Sequence, residues 1–283
     1  MAKIIDGKAI SAQIRSEIKE KTAEFAAKNG FRPGLAVIIV GSDPASQVYV
    51  RNKRRACDEV GFYSEAYELP EQTTQEELMA LVDKLNADEK IHGILCQLPL
   101  PRHLDENEVI LRIDPAKDVD AFHPYNVGKI MIGDYDFLPC TPAGVMALLD
   151  RSGIEISGKE CVVVGRSNIV GKPQAMLLLH ANGTVTVCHS RTKNLAEVCR
   201  RADILVAAIG KADFFTADMV KEGAVVIDVG MNRRADGKLT GDVDFASVEP
   251  KASYITPVPG GVGPMTITML MQNTLTAAER SVK

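Results

Sequence analysis

Apolar positions in this chain follow two rhythms. Ile10, Ile14, Ile18 and Phe25 recur at helical spacing and predict a first helix, stopped at Asn29-Gly30. Unbroken apolar runs from Leu35 to Val40 and from Ile91 to Gln97 predict buried strands. Between them, Ser46 to Val60 reads as a helix and Tyr63 to Leu69 as a strand. Thr74-Gln75-Glu76-Glu77 is a capping box that opens the next helix. Alternation of this kind predicts an α/β fold with a mainly parallel sheet. A new helix starts at Thr141-Pro142, with proline at its first position, and ends near Ser152-Gly153, after which a second alternating series begins. Strands are expected at 161–164, 184–188, 204–208, 225–229 and 254–256, and helices at 173–180 and 194–201. A last helix runs from Met265 to Arg280. The expected division is a first domain over 1–140, completed by the C-terminal helix 265–283, and a Rossmann-like dinucleotide-binding domain over 141–264.

The bulk numbers narrow the class. The chain has 283 residues, 46% hydrophobic and 25% charged, with a formal net charge of -4, which fits a globular protein and argues against a general nucleic-acid binder. No apolar run reaches transmembrane length, so no membrane role is expected. The stretch Met1 to Gly7 lacks the apolar core of a signal peptide, which predicts a cytoplasmic protein. The six cysteines show no CxxC spacing and the five histidines no paired ligand motif, so neither disulfides nor a metal site is expected.

Three places carry candidate chemistry. The run from Thr256 to Thr266 (TPVPGGVGPMT) holds no charge and no serine; its prolines fix φ and its glycines open positive φ. That composition suits either a rigid loop whose amides approach a ligand or a stiff connector. The strand at 161–164 enters Gly165-Arg166-Ser167-Asn168-Ile169-Val170-Gly171, a strand–turn–helix context that suits a pyrophosphate, although the glycines are spaced six apart and GxGxxG is absent. The next strand ends at Cys188-His189-Ser190-Arg191, with no acid for a ribose hydroxyl but with a hydroxyl and a guanidinium. Together with Arg166 this favours NADP over NAD, surface cations being the plainer reading of both arginines. Third, Lys53 lies on the same helical stripe as Tyr49, Ala56 and Val60, while Arg51, Asn52, Arg54, Arg55, Asp58 and Glu59 take the solvent positions. An inward lysine is either a proton-transfer group or a snorkelling stem. Gln97 closes a buried strand before Leu98-Pro99, and acids cluster at Asp114, Asp118 and Asp120.

Taken together, these segments resemble the bifunctional methylenetetrahydrofolate dehydrogenase/methenyltetrahydrofolate cyclohydrolase family. The matching runs are Tyr49 to Lys53, Gly93 to Pro101, Lys117 to Asp120, Pro139 to Pro142, Gly165 to Ser167 with Val170-Gly171, and Thr256 to Met265. One departure is Ala121, where the family commonly has glycine. The resemblance implies an N-terminal folate-binding domain, an NADP-binding domain, a cleft between them for folate, and a homodimer formed through the cofactor domains. It implies that Gly165, Arg166, Ser167, Ile169, Val170, Gly171, Ser190 and Arg191 serve NADP. It further implies that Tyr49 stacks on the aminobenzoyl ring, that Lys53 serves the chemistry with Gln97 positioning it, and that Asp120 holds the pterin. Leu98 and Pro99 line the folate site, and the loop of Pro259, Gly260, Gly261 and Val262 closes over the substrate. The activities implied are hydride transfer to NADP followed by ring hydrolysis, in one-carbon metabolism. An NADP dehydrogenase of the shikimate type, or an idle sensor of NADP or folate, would share the cofactor turn but would not need the Tyr49/Lys53 helix and Asp120 together.

Overall fold

The computed structural model describes residues 1–41 and 44–283; within the second helix, the side chains of Pro44, Ala45, Ser46, Val48 and Tyr49 lie outside the described set. By internal contacts the chain forms two compact units, one of 1–12 with 139–266 and the other of 13–138 with 267–283. The elements in chain order are β1 (Lys3–Ile4), α1 (Gly7–Asn29), β2 (Gly34–Val40), α2 (Pro44–Val60), β3 (Tyr63–Leu69), α3 (Gln75–Ala87), β4 (Gly93–Cys96), α4 (Glu106–Arg112), α5 (Pro124–Ile132) and α6 (Cys140–Arg151). There follow β5 (Glu160–Val164), α7 (Gly171–His180), β6 (Thr184–Cys188), α8 (Leu195–Cys199), β7 (Ile204–Ala207), a short 3-10 turn (Ala217–Met219), β8 (Val225–Asp228), β9 (Asn232–Arg233), β10 (Leu239–Thr240), α9 (Phe245–Val248), β11 (Tyr254–Ile255) and α10 (Val262–Ser281).

The unit of 13–138 and 267–283 holds a three-stranded parallel sheet in the order β3-β2-β4. Every residue of β2 is buried, as expected of a central parallel strand covered on both faces. Ala36, Ile38 and Val40 pack on Leu78, Val82 and Leu85 of α3 and on Val109 of α4. The capping box expected at Thr74 is present: its hydroxyl accepts from Glu77 N, and the Glu77 carboxylate accepts from Thr74 N. The short helices α4 and α5 were not legible as periodic patterns. Each is started by a side-chain cap, Asp105 for α4 and His123 for α5.

The other unit is built on a six-stranded sheet, all parallel, in the order β1-β11-β8-β7-β5-β6. Counted from β5, this is the 2-1-3-4-5 arrangement of doubly wound sheets, extended by β1, rather than the 3-2-1-4-5-6 order of two mononucleotide-binding halves. The strand order reverses at β5, with β6 added on one side and β7 on the other, so the crevice lies at the carboxyl ends of β5 and β7. Two features differ from the sequence reading. Residues 1–12 group with this unit because β1 pairs in parallel with β11, Lys3 opposite Tyr254 and Ile4 opposite Ile255. The last helix begins at Val262 rather than Met265. Gly263 and Pro264 fall in its first turn, where amides have no intrahelical partner and proline costs nothing.

Candidate active site

Helix α2 delivers Lys53 to the interior. Val50, Ala56, Cys57 and Val60 are buried, and Lys53, at 8% exposure, lies on the same stripe; Arg51, Asn52, Arg54, Arg55, Asp58 and Glu59 face solvent. The ammonium donates to Gln97 Oε1 at 2.8 Å. Gln97 immediately follows β4, and its own amide nitrogen donates to Leu98 O at 2.8 Å, which fixes the orientation of its carbonyl. Both proline bonds left open by the sequence, Leu98–Pro99 and Val258–Pro259, are cis. The ring of Tyr49, the expected stacking partner, lies outside the described side chains.

Asp120 stands on a loop whose shape comes from a neighbour. Asp118 is buried and accepts from Phe122 N (3.2 Å), His123 N (2.8 Å) and Asn126 Nδ2 (2.8 Å). Burial pushes its carboxyl above the ordinary carboxylate range, against the pull of those donors. From α10, Asn273 donates to Val119 O and Leu138 O, each at 2.8 Å, so two elements hold the turn. Ala121, the departure from the family pattern, has φ +56° and is fully buried. Cys96 reports the local field: burial first, then Asp120 and Glu106, push its thiol up to about 12, while Lys53 pulls it down. Asp120 and Lys53 therefore act on one point, and the thiol beside them is protonated and inert.

The cofactor turn is a separate construction. Gly165 has φ +142°, and a Cβ there would lie 2.3 Å from Ala208 O; a Cβ on Gly171 would lie 2.2 Å from Gly165 O. The chain thus folds back on itself with no room for side chains, as a backbone cradle for phosphate requires. Ser167 Oγ accepts from Val170 N (3.2 Å) and Gly171 N (3.3 Å), so this hydroxyl shapes the turn that opens α7. Arg166, Ser167 and Ile169 are exposed. Gly165 N donates to Cys188 O at 2.9 Å, which sets the end of β6 beside the turn. There Ser190 and Arg191 are exposed, and Arg191 N donates to His189 Nδ1 at 3.2 Å. A tight glycine turn at a helix start, beside a strand end that carries exposed Ser190 and Arg191, fits the phosphates of a dinucleotide. The loop after β11 is tied down by Lys8 N donating to Gly260 O at 3.2 Å, with Gly260 at φ +110°.

Asp118 was named only as one of the loop acids, and Asn126, Asn273 and the buried pair Asp228 and Asp242 at the carboxyl edge of the larger sheet were not singled out from sequence. For Asp228 a signal exists: an acid ending the apolar run Val225 to Ile227, followed two residues later by glycine. For Asp118 against Asp120 none does, since both sit in one polar loop. Among the described residues no group of histidines, cysteines and acids is arranged to hold a metal, and no helix is long and apolar enough to cross a membrane.

Comparison with known proteins gives the following. Residues 5–120 match the profile of the tetrahydrofolate dehydrogenase/cyclohydrolase catalytic domain, and 139–282 that of the NAD(P)-binding domain of the same family. A relative from Acetivibrio thermocellus named bifunctional protein FolD is 64% identical over 282 residues, covering 100% of this chain and 99% of its own. One from Agathobacter rectalis with the same name is 62% identical, covering 99% of this chain and 100% of its own. The bifunctional FolD methylenetetrahydrofolate dehydrogenase/cyclohydrolase of Campylobacter jejuni superposes with a TM-score of 0.97 at 51% identity, covering 99% of this chain and 100% of its own. The Trypanosoma brucei enzyme, solved with NADP and an inhibitor, gives 0.95 at 44% identity and covers 100% of this chain and 99% of its own. Shikimate 5-dehydrogenase from Thermus thermophilus, at 16% identity and a TM-score of 0.53, shares the fold alone.

Proposed function

This chain belongs to the tetrahydrofolate dehydrogenase/cyclohydrolase family, and from that premise we propose how its own residues divide the work. The enzyme converts 5,10-methylenetetrahydrofolate to the 5,10-methenyl form by hydride transfer to NADP, and then to 10-formyltetrahydrofolate by hydrolysis. NADP, when bound, supplies the hydride acceptor. The turn of Gly165, Arg166, Ser167, Ile169, Val170 and Gly171 holds its phosphates, and Ser190 with Arg191 and Arg166 takes the 2′-phosphate. The folate is held by Asp120, Tyr49, Leu98 and Pro99, and the loop of Pro259, Gly260, Gly261 and Val262 covers it. Asp120 accepts two hydrogen bonds from the donor edge of the pterin. We place the enzyme in the cytoplasm and as a homodimer joined through its cofactor units.

The two steps make different demands. Departure of hydride is driven by the lone pairs of the flanking nitrogens, so the protein contributes alignment. Hydrolysis adds water to the cationic methenyl carbon; as the formyl C=O forms, both protons of that water leave it, one delivered to the departing ring nitrogen and one released to solvent. Lys53 carries those protons. The observation that supports this is the Lys53–Gln97 hydrogen bond on a buried stripe. The Gln97 amide oxygen fixes where the Lys53 nitrogen stands, which aligns it for proton transfer.

Lys53→Met preserves length and apolar stem. It is expected to lower methenyltetrahydrofolate hydrolysis by about 10²-fold or more, the usual scale for a lost acid or base. NADPH formation from the methylene substrate falls less. Normal hydrolysis by a folded variant removes Lys53 from the mechanism, and equal loss of both rates makes it a substrate-positioning group. Asp120→Ala serves as the control in the same assays, and both rates should drop together because both use one bound pterin.

A further inference from the structure

Two buried carboxylates at the carboxyl edge of the six-stranded sheet have no part in the chemistry above. Asp242 is fully buried and accepts three successive backbone N–H groups, from Ile209 (2.6 Å), Gly210 (3.0 Å) and Lys211 (2.8 Å), and a fourth donor, Asn232 Nδ2 (2.9 Å). Asp228, at the end of β8, accepts from Gly230 N, Asp242 N and Val243 N, each at 2.9 Å. Its own N–H donates to Thr256 Oγ1 at 2.8 Å. A Cβ at position 241 would stand 1.8 Å from Asp228 Oδ2, so glycine alone lets the two acids come this close. Burial, opposed by those backbone donors, pushes the Asp228 carboxyl up to about 7.

The donor set shows what Asp242 does. Residues 209–211 leave β7, whose neighbour β5 runs into the phosphate turn. Ala208 N donates to Val164 O at 2.9 Å, and Ala208 O is the atom against which Gly165 is packed. The loop held by Asp242 is therefore one wall of the crevice at the switch point, and the Gly165 turn is the other. Loop amides without a strand partner need an acceptor. Here one carboxylate serves three in a row, a charge-assisted clamp roughly twice as strong per bond as a neutral one.

We propose that Asp242 is a positioning residue for the dinucleotide: it fixes the 209–211 backbone as the second wall of the cofactor crevice, so that NADP meets a loop already in place. This rests on the assignment of the cofactor turn to NADP. An asparagine keeps the shape but turns a donor toward donors. Asp242→Asn should weaken NADPH binding, read by equilibrium fluorescence titration, by about tenfold or more, the equivalent of one charged hydrogen bond. Hydrolysis of methenyltetrahydrofolate, assayed without cofactor, should fall far less than the dehydrogenase rate. An unchanged NADPH affinity in the folded variant overturns the proposal. So does a parallel fall of both activities at parental affinity, which marks a merely structural group. If Asp242→Asn does not fold, amide exchange in the parent protein decides. The N–H groups of 209–211 should already be protected without NADPH, and exchange as fast as an unstructured loop overturns the proposal. Failure of the parent itself to bind NADPH would instead sink the cofactor assignment beneath it.

Discussion

Arg166 and Arg191 stand exposed on two turns brought together by the Gly165–Cys188 hydrogen bond. In the proposed role these guanidiniums select for an additional phosphate. The intact enzyme should therefore show a higher kcat/KM with NADP than with NAD. Arg166→Ala should narrow that ratio by about 10–100-fold, the worth of a charged hydrogen bond. Equal efficiency with the two cofactors in the parent enzyme would dismiss the phosphate role. Both arginines and Lys53 were readable in the sequence, because a strand end, a helix start and a helical stripe fix which way a residue points. Asp118 was not. It and Asp120 lie two apart in one loop, and only the donors at Phe122, His123 and Asn126 show which acid builds the turn. Ala121 is a related case. The sequence marked it as a missing glycine, and its φ of +56° shows why glycine suits that place.

At the scale of elements, β2 and β4 are joined at their starts by a histidine. His92 Nδ1 accepts from Gly34 N at 3.0 Å, His92 N donates to Gly34 O at 2.8 Å, and Phe31 stacks on the ring with centroids 5.4 Å apart. Burial, helped by Lys117, lowers its pKa from 6.5 to about 4. The folded imidazole thus stays neutral where an unfolded one already takes a proton. As pH falls, the unfolded chain binds that proton first, so stability is lost between 6.5 and about 4 and this contribution is flat above that window. Between pH 7.5 and about 4, the melting temperature of the parent should fall more steeply within the window than that of His92→Gln. A constant difference across it would show that His92 does not titrate in this way. Sequence patterning found the long elements here and missed α4, α5 and the β9–β10 hairpin. Those pieces owe their existence to caps and turns more than to a repeating apolar face.

At the scale of the whole molecule, β6 is the edge strand at one side of the six-stranded sheet, and Val187 on it is 41% exposed. Leu179, near the end of the preceding helix α7, is 50% exposed. An open, partly apolar edge is a ready surface for a second copy, in keeping with the proposed dimer. Light scattering on the eluting protein should give twice the 30.6 kDa chain mass, and Val187→Lys should shift it toward one. A monomeric parent would reject the dimer. The opposite edge was invisible in the sequence. β1 is a two-residue strand with both side chains exposed, so no apolar run announces it. Its position has a consequence for synthesis. Lys3 leaves the ribosome long before its partner Tyr254. At roughly 5–20 residues per second, the N-terminal strand waits on the order of ten to fifty seconds for the edge it completes. Through that interval the nascent chain is vulnerable to chaperone capture or aggregation, and the closing of β1 on β11 marks the end of that exposure.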